Sequence, residues 1–187
     1  MLPQDVDELR RRVRGGESFE YVMFWGVAEH RHQGLSSSCL SQWWPSPFQV
    51  NHIYYPTAEH YMMAEKARLF GDNEVEVEIL RTSSPMKAKR LGRKVSGFSE
   101  TLWNQRRFAV VVAASKAKFS QNPTLTHYLL STGDSVLVEA SPTDLVWGIG
   151  LTSEDHRSTD PFQWRGANQL GFALMLVREE LRASLNG

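Results

Sequence analysis

An acid and a base stand seven residues apart just beyond a proline. A helix starting after Pro56 would carry Glu59, Met62 or Met63, Lys66 and Phe70 along one stripe, since seven residues is close to two turns. Glu59 and Lys66 then point the same way. An exposed, salt-bridged helix face explains the same spacing. Against it, the preceding aromatic pair Tyr54-Tyr55 would wall off one side of Glu59. A second group is basic: Lys87, Lys89, Arg90, Arg93 and Lys94 surround Leu91, either as a solvated cationic face or as a phosphate site. Arg106 and Arg107 follow Trp103 by about one turn, so a nucleotide could stack on the indole while a guanidinium meets its phosphate. Trp103 on a long apolar helix is nonetheless more often plain core.

Two further segments combine unusual residue types. Asp144-Leu145-Val146-Trp147-Gly148-Ile149-Gly150 places an acid, a large aromatic plate and two glycines within seven positions. Glycine lets backbone approach a ligand, the indole offers a stacking face, and the aspartate could orient a ribose hydroxyl or a water; a Gly-bracketed turn around a buried Trp is the plainer reading. Trp164 to Gly171 opens a helix whose free amides and positive dipole end suit an anion or a sugar oxygen, although Asn168 could simply cap that helix. His30 and His32 lie close together, but no third ligand or HExxH pattern joins them, so no metal is expected. Phosphate-loop, nucleophile-elbow and dinucleotide-turn motifs are absent from the sequence.

The elements that must position these residues can be read from periodicity and punctuation. Val6, Leu9 and Val13 predict a short helix ending at Gly15-Gly16, and Phe19 to Trp25 a strand. The Ser-, His- and Gly-rich stretch 29–41 reads as a loop that could lie over a site. Phe48 to Val50 and Ile53 to Tyr55 predict a hairpin turning at Asn51-His52. Helices follow over Ala58 to Phe70, from an Asp72 cap through Leu80, from Ser84-Pro85 over Met86 to about Val95, from a Ser99 cap as the longest of all, and from Asn122-Pro123 to Gly133. Ser135 to Ala140 alternates as a strand, and a final helix capped by Asn168 carries Leu170, Leu174, Val177 and Leu181. The expected fold is α+β, predominantly helical with a small sheet of short strands. It is organised as an N-terminal helical extension over 1–18 and a single domain over 19–187.

Composition excludes several classes. At 187 residues the chain can bury one substantial core, and 41% apolar with 22% charged residues is an ordinary globular mixture. Twenty-one Lys plus Arg balance 21 Asp plus Glu, so no global field draws the protein to a polyanion, and no strong duplex DNA binding is expected. The lone Cys39 rules out an internal disulfide. Neither a signal-peptide core nor a run of about 18 apolar residues is present, which points to a cytoplasmic protein without a membrane partner.

Several motifs carry a resemblance. In order they are Tyr55-Pro56-Thr57-Ala58-Glu59-His60-Tyr61-Met62, Lys66, Ser84-Pro85-Met86 with Leu91-Gly92-Arg93, Trp103, Lys118-Phe119, Leu137-Val138-Glu139, Asp144 with Trp147-Gly148, and Gly166 to Gly171. From about Phe24 to Leu181 this pattern resembles the NADAR superfamily, which includes the YbiA-like N-glycosidases. The resemblance implies a YbiA-like fold and hydrolysis of an N-glycosidic bond to ribose. Implied substrates are small and nucleotide-like, the ribosylamino-pyrimidine phosphates of early riboflavin synthesis, or ADP-ribosyl-guanine in nucleic acid. It implies Glu59, Asp144 and Lys66 as catalytic residues and Trp103, Trp147, Arg93, Gly148 and Asn168 as substrate-binding ones, with no cofactor. In that mechanism Glu59 deprotonates the attacking water, Asp144 orients a ribose hydroxyl or assists the leaving nitrogen, the two indoles flank the base, and Lys66 with Arg93 holds phosphate. One alternative is lysine chemistry, with Lys66 capturing an opened ribose as a Schiff base; another is a non-catalytic ADP-ribose or NAD sensor. Two features depart from the YbiA-like pattern: Ile149 stands where an acid often separates the two glycines, and 152–163 is a longer insertion.

Overall fold

A computed structural model of the chain describes residues 2–26 and 35–185. His30 and His32, and much of the loop read over 29–41, lie outside the described residues. Contacts divide the chain into two compact units, one made of Gln42–Pro123 and the other of Met1–Ser41 with Thr124–Gly187.

The 42–123 unit opens with the expected hairpin. Phe48–Val50 (β1) pairs antiparallel with Ile53–Tyr55 (β2), Phe48 opposite Tyr55. Asn51 and His52 at the turn have φ of 52° and 64°, the left-handed values that a two-residue type I′ connection requires. Phe48 stacks on Tyr55, and Tyr55 meets Tyr61 edge-on at 5.0 Å, so the hairpin is joined by its rings to the helix that follows. That helix, Ala58–Leu69 (α1), packs against Asn73–Arg81 (α2), Pro85–Gly92 (α3) and Glu100–Ser120 (α4). Asp72, Ser84 and Ser99 each cap their helix, accepting from the amides of Val75, Lys87 and Leu102. Seven consecutive residues of α1, Ala58 to Ala64, are buried. A helix covered on all sides has no polar stripe to reveal its orientation. Arg68 ties α1 to α2 through Glu76 at 2.7 Å while also pairing with Glu65. The α3 helix stops at Gly92, short of the predicted Val95, because Lys94 N–H turns back to the Leu91 carbonyl at 2.8 Å.

In the other unit, Val6–Arg14 (α5) and Tyr21–Phe24 (β3) precede the helix Pro123–Ser131 (α6), the strand Val136–Glu139 (β4) and the helix Gln169–Leu185 (α7). β3 and β4 run parallel, with Tyr21 opposite Val136 and Phe24 opposite Glu139. Val136, Leu137 and Val138 are all fully buried, as a strand packed on both faces must be, and α7 packs on β4. Arg178 of α7 is also fully buried. Its guanidinium donates to Thr132 Oγ1 at 2.7 Å and the Ser135 carbonyl at 2.9 Å, and burial pushes it down to about 10. The insertion over 152–163 folds as turns that end in a short 3-10 turn, Pro161–Gln163, against α5. Arg10 of α5 donates to the carbonyls of Pro161 and Trp164, and the Trp164 indole donates to Ser158 at 2.7 Å. The N-terminal helical segment and the insertion thus stabilise each other. Among the described residues, no helix is long and apolar enough to cross a membrane.

Candidate active site

Glu59 lies in the first turn of α1, after Thr57, whose extended backbone starts the helix. It is 3% exposed, which removes the reading of an open salt-bridged face. Its amide donates to the Gln42 carbonyl at 3.0 Å. A carboxylate at this end of a helix sits beside the dipole's positive pole. The neighbouring His60 is fully buried, with Nδ1 2.8 Å from Thr57 Oγ1, and burial lowers its pKa; it stays a neutral ring that braces the helix start.

Two turns on, Lys66 is half-buried against aromatic faces, its Nζ 4.1 Å from the Phe98 ring centroid and 5.8 Å from that of Trp103. Burial lowers its pKa, and the charge of Arg93 lowers it further. Arg93 itself is exposed, at the C-cap of α3. Its position depends on close packing behind it: a Cβ on Gly92 would lie 2.1 Å from Met63 Sδ of α1. Phe98 is 45% exposed and is delivered by a clamped turn, in which Asp72 accepts from both the amide and the hydroxyl of Ser96 at 2.8 Å. These bonds, that of the Ser96 amide foremost, hold the Asp72 carboxyl below its usual range. Gly97, at φ 65°, permits the reversal that follows. Four predicted residues, Glu59, Lys66, Arg93 and Trp103, therefore belong to this one unit, with Lys66, Arg93 and Trp103 as neighbours.

The sequence reading gave no role to Phe98, Gln42 or Lys118. Lys118 is fully buried on α4, one turn beyond the buried Ser115. Its place in the Lys118-Phe119 motif was the available signal.

Asp144, Trp147, Gly148 and Asn168 lie in the other unit. Asp144 Oδ1 accepts from the amides of Val146 and Trp147 at 2.9 and 2.8 Å, a side-chain-closed turn that sets the direction of Trp147. Both Asp144 and Trp147 remain partly exposed. Gly148 is buried, and a Cβ there would come within 2.8 Å of the Glu139 carbonyl, so backbone packing alone requires glycine at this position.

The start of α7 corrects the expectation of free amides. The N–H groups of Arg165, Gly166, Ala167, Asn168, Gln169 and Leu170 all donate to carbonyls of residues 145–149, so these six amides are already taken. Asn168 is likewise not available to substrate. It is fully buried, at φ 51°, and its side chain accepts from Glu139 N–H at 3.0 Å and donates to the Leu137 carbonyl at 2.9 Å. The amide expected to cap α7 instead fastens the helix start to β4. Asn168→Ala is expected to lower stability by about 2–4 kcal/mol, because two buried main-chain groups lose their partners; urea unfolding followed by tryptophan fluorescence measures it.

The family model described as the NADAR domain matches residues 23–182. The chain belongs to the NADAR family. Among its relatives, N-glycosidase R617 of Acanthamoeba polyphaga mimivirus is 42% identical over 169 residues, covering 88% of this chain and 98% of the viral protein. The chloroplastic riboflavin biosynthesis protein PYRR of Zea mays is 41% identical over 139 residues, 70% of this chain but 20% of the maize protein. The NMR structure of the E. coli protein YbiA matches with a TM-score of 0.72 and 31% identity, covering 90% of this chain and 89% of that one. The α+β, mainly helical fold expected of a NADAR protein is therefore the fold observed.

Proposed function

We propose that this NADAR protein is an N-glycosidase that hydrolyses the bond between ribose and nitrogen in a phosphate-bearing, nucleotide-like substrate. The observation that carries the reading is Glu59: a carboxylate with 3% exposure, held in the first turn of a helix whose residues Ala58 to Ala64 are all buried. Burying an acid without a task is costly, and such positions favour catalytic groups. Glu59 deprotonates the attacking water, and its charge offsets the positive character that develops at the anomeric carbon as the C–N bond lengthens. Lys66 and Arg93 supply adjacent positive charge for phosphate, with Trp103 and Phe98 forming an aromatic bed beside the lysine. Asp144 and Trp147 are assigned to the same reaction on their match to the family motifs, and Asp144→Asn and Trp147→Ala are the variants that test them.

Relatives named N-glycosidase and riboflavin biosynthesis protein support ribosylamino-pyrimidine phosphates as the first substrates to try. ADP-ribosyl-guanine is the second. A side-by-side assay of the two, following free base by chromatography, tests the proposal; tight binding with no base released from either would make the protein a sensor instead of an enzyme.

The depressed pKa of Lys66 favours a second reading, since desolvation and a neighbouring cation are what raise the amine fraction of a nucleophilic lysine. If Lys66 captures the opened sugar, borohydride added during turnover leaves a mass increment on the peptide carrying Lys66. If hydrolysis is direct, that peptide stays unmodified.

A further inference from the structure

Gln42 holds the main chain of Glu59 and has one polar side-chain atom unused. Its carbonyl accepts the Glu59 amide at 3.0 Å, and its side-chain Nε2 donates to the buried Ser115 hydroxyl at 3.4 Å. The residue is 7% exposed, yet its Oε1 is buried without a hydrogen-bond partner. Buried acceptors are almost always satisfied, and one left over on the residue that holds the Glu59 main chain is a place for a ligand's hydrogen. Both contacts lie within the 42–123 unit, one fixing the main chain of Gln42 and the other its side chain.

If Glu59 acts at the anomeric carbon, the substrate donor next to the reacting centre is the hydroxyl on the adjoining carbon, and Gln42 is the residue that holds the Glu59 main chain. We propose that Gln42 Oε1 accepts the hydrogen of the substrate's ribose 2-hydroxyl and so makes the enzyme selective for ribosyl over 2-deoxyribosyl compounds. This assignment rests on the glycosidase reading above. A site built to bond a hydroxyl discriminates against the analogue lacking it, because the buried group is then left unpaired. Hydrogen bonds to that hydroxyl also strengthen as a glycosidic bond breaks.

The test is calorimetric binding of ribose 5-phosphate and 2-deoxyribose 5-phosphate to the wild-type protein, Gln42→Met, Gln42→Ala and Gln42→Glu, with the melting temperature of each. The wild type is expected to prefer the ribose compound by about ten- to a hundredfold. Gln42→Met and Gln42→Ala bring that ratio close to one, whereas Gln42→Glu, which keeps an acceptor, preserves a preference. Gln42→Met melts no lower than wild type by more than a few degrees, since it removes an unsatisfied atom along with a long hydrogen bond. A ratio unchanged in Gln42→Met overturns the proposal and leaves the glycosidase reading standing. Failure of both Gln42→Met and Gln42→Ala to fold would make the residue structural and also overturn it. Wild-type protein that binds neither sugar phosphate overturns this assignment, while release of free base from the ribosyl substrates decides the glycosidase reading separately.

Discussion

Glu59→Gln is expected to fold with a melting temperature close to wild type and to lose about 10²- to 10⁴-fold in turnover, the range general-base catalysis supplies. The substitution keeps the shape of a side chain that is 3% exposed, so packing around the first turn of α1 is preserved. The Glu59 amide keeps its bond to the Gln42 carbonyl, because that contact is main chain on both sides. On the proposed mechanism, what disappears is the group that accepts a proton and the negative charge that offsets the positive character of the reacting carbon. Substrate binding should change far less than the chemical step, so the loss appears in kcat measured under saturation and in single-turnover release of base. A purified Glu59→Gln protein that turns over at the wild-type rate removes this residue from the reaction.

The largest expected structural effect is at Gly171. A Cβ there would lie 2.0 Å from the Leu137 carbonyl and within 2.5 and 2.7 Å of Asn168 Nδ2 and Oδ1. None of these atoms can swing away: one belongs to the backbone of β4, and the others are fixed by bonds to that same strand. Gly171→Ala must therefore move α7 off the strand and break the Asn168 contacts together. A loss of at least about 3 kcal/mol follows from overpacking plus unsatisfied buried groups. In a chain of this size that lowers the melting temperature by roughly 6–12 °C. Thermal unfolding by circular dichroism reads it directly; a shift under about 2 °C would show that α7 can slide without cost.

Parts of the fold written in short-range chemistry were legible from the sequence. The hairpin turn at Asn51-His52 and the caps at Asp72, Ser84 and Ser99 each depend on residues within four positions, and all are present. Glu59 was legible as a candidate, but its burial was not, since a helix covered on every side leaves no pattern to separate buried acid from exposed acid. Asn168 shows the opposite failure. Its type and place are those of a cap, but its partners lie some thirty residues away on β4, a distance over which residue type carries no pairing information. The satisfied amides at the start of α7 escaped for the same reason, because their acceptors belong to a preceding loop. Gln42 lacks any motif, and only a count of its hydrogen bonds singles it out.

The connectivity of the chain orders its own assembly. Tyr21 to Phe24 emerge early from the ribosome but pair with Val136 to Glu139, while the whole of 42–123 is synthesised in between. During translation, β3 stays without its parallel partner until β4 has left the exit tunnel, and β4 stays uncovered until α7 follows. The contacts of the intervening segment named above are internal to it, so the whole set of residues that bury Glu59 within that unit is synthesised before β4 exists.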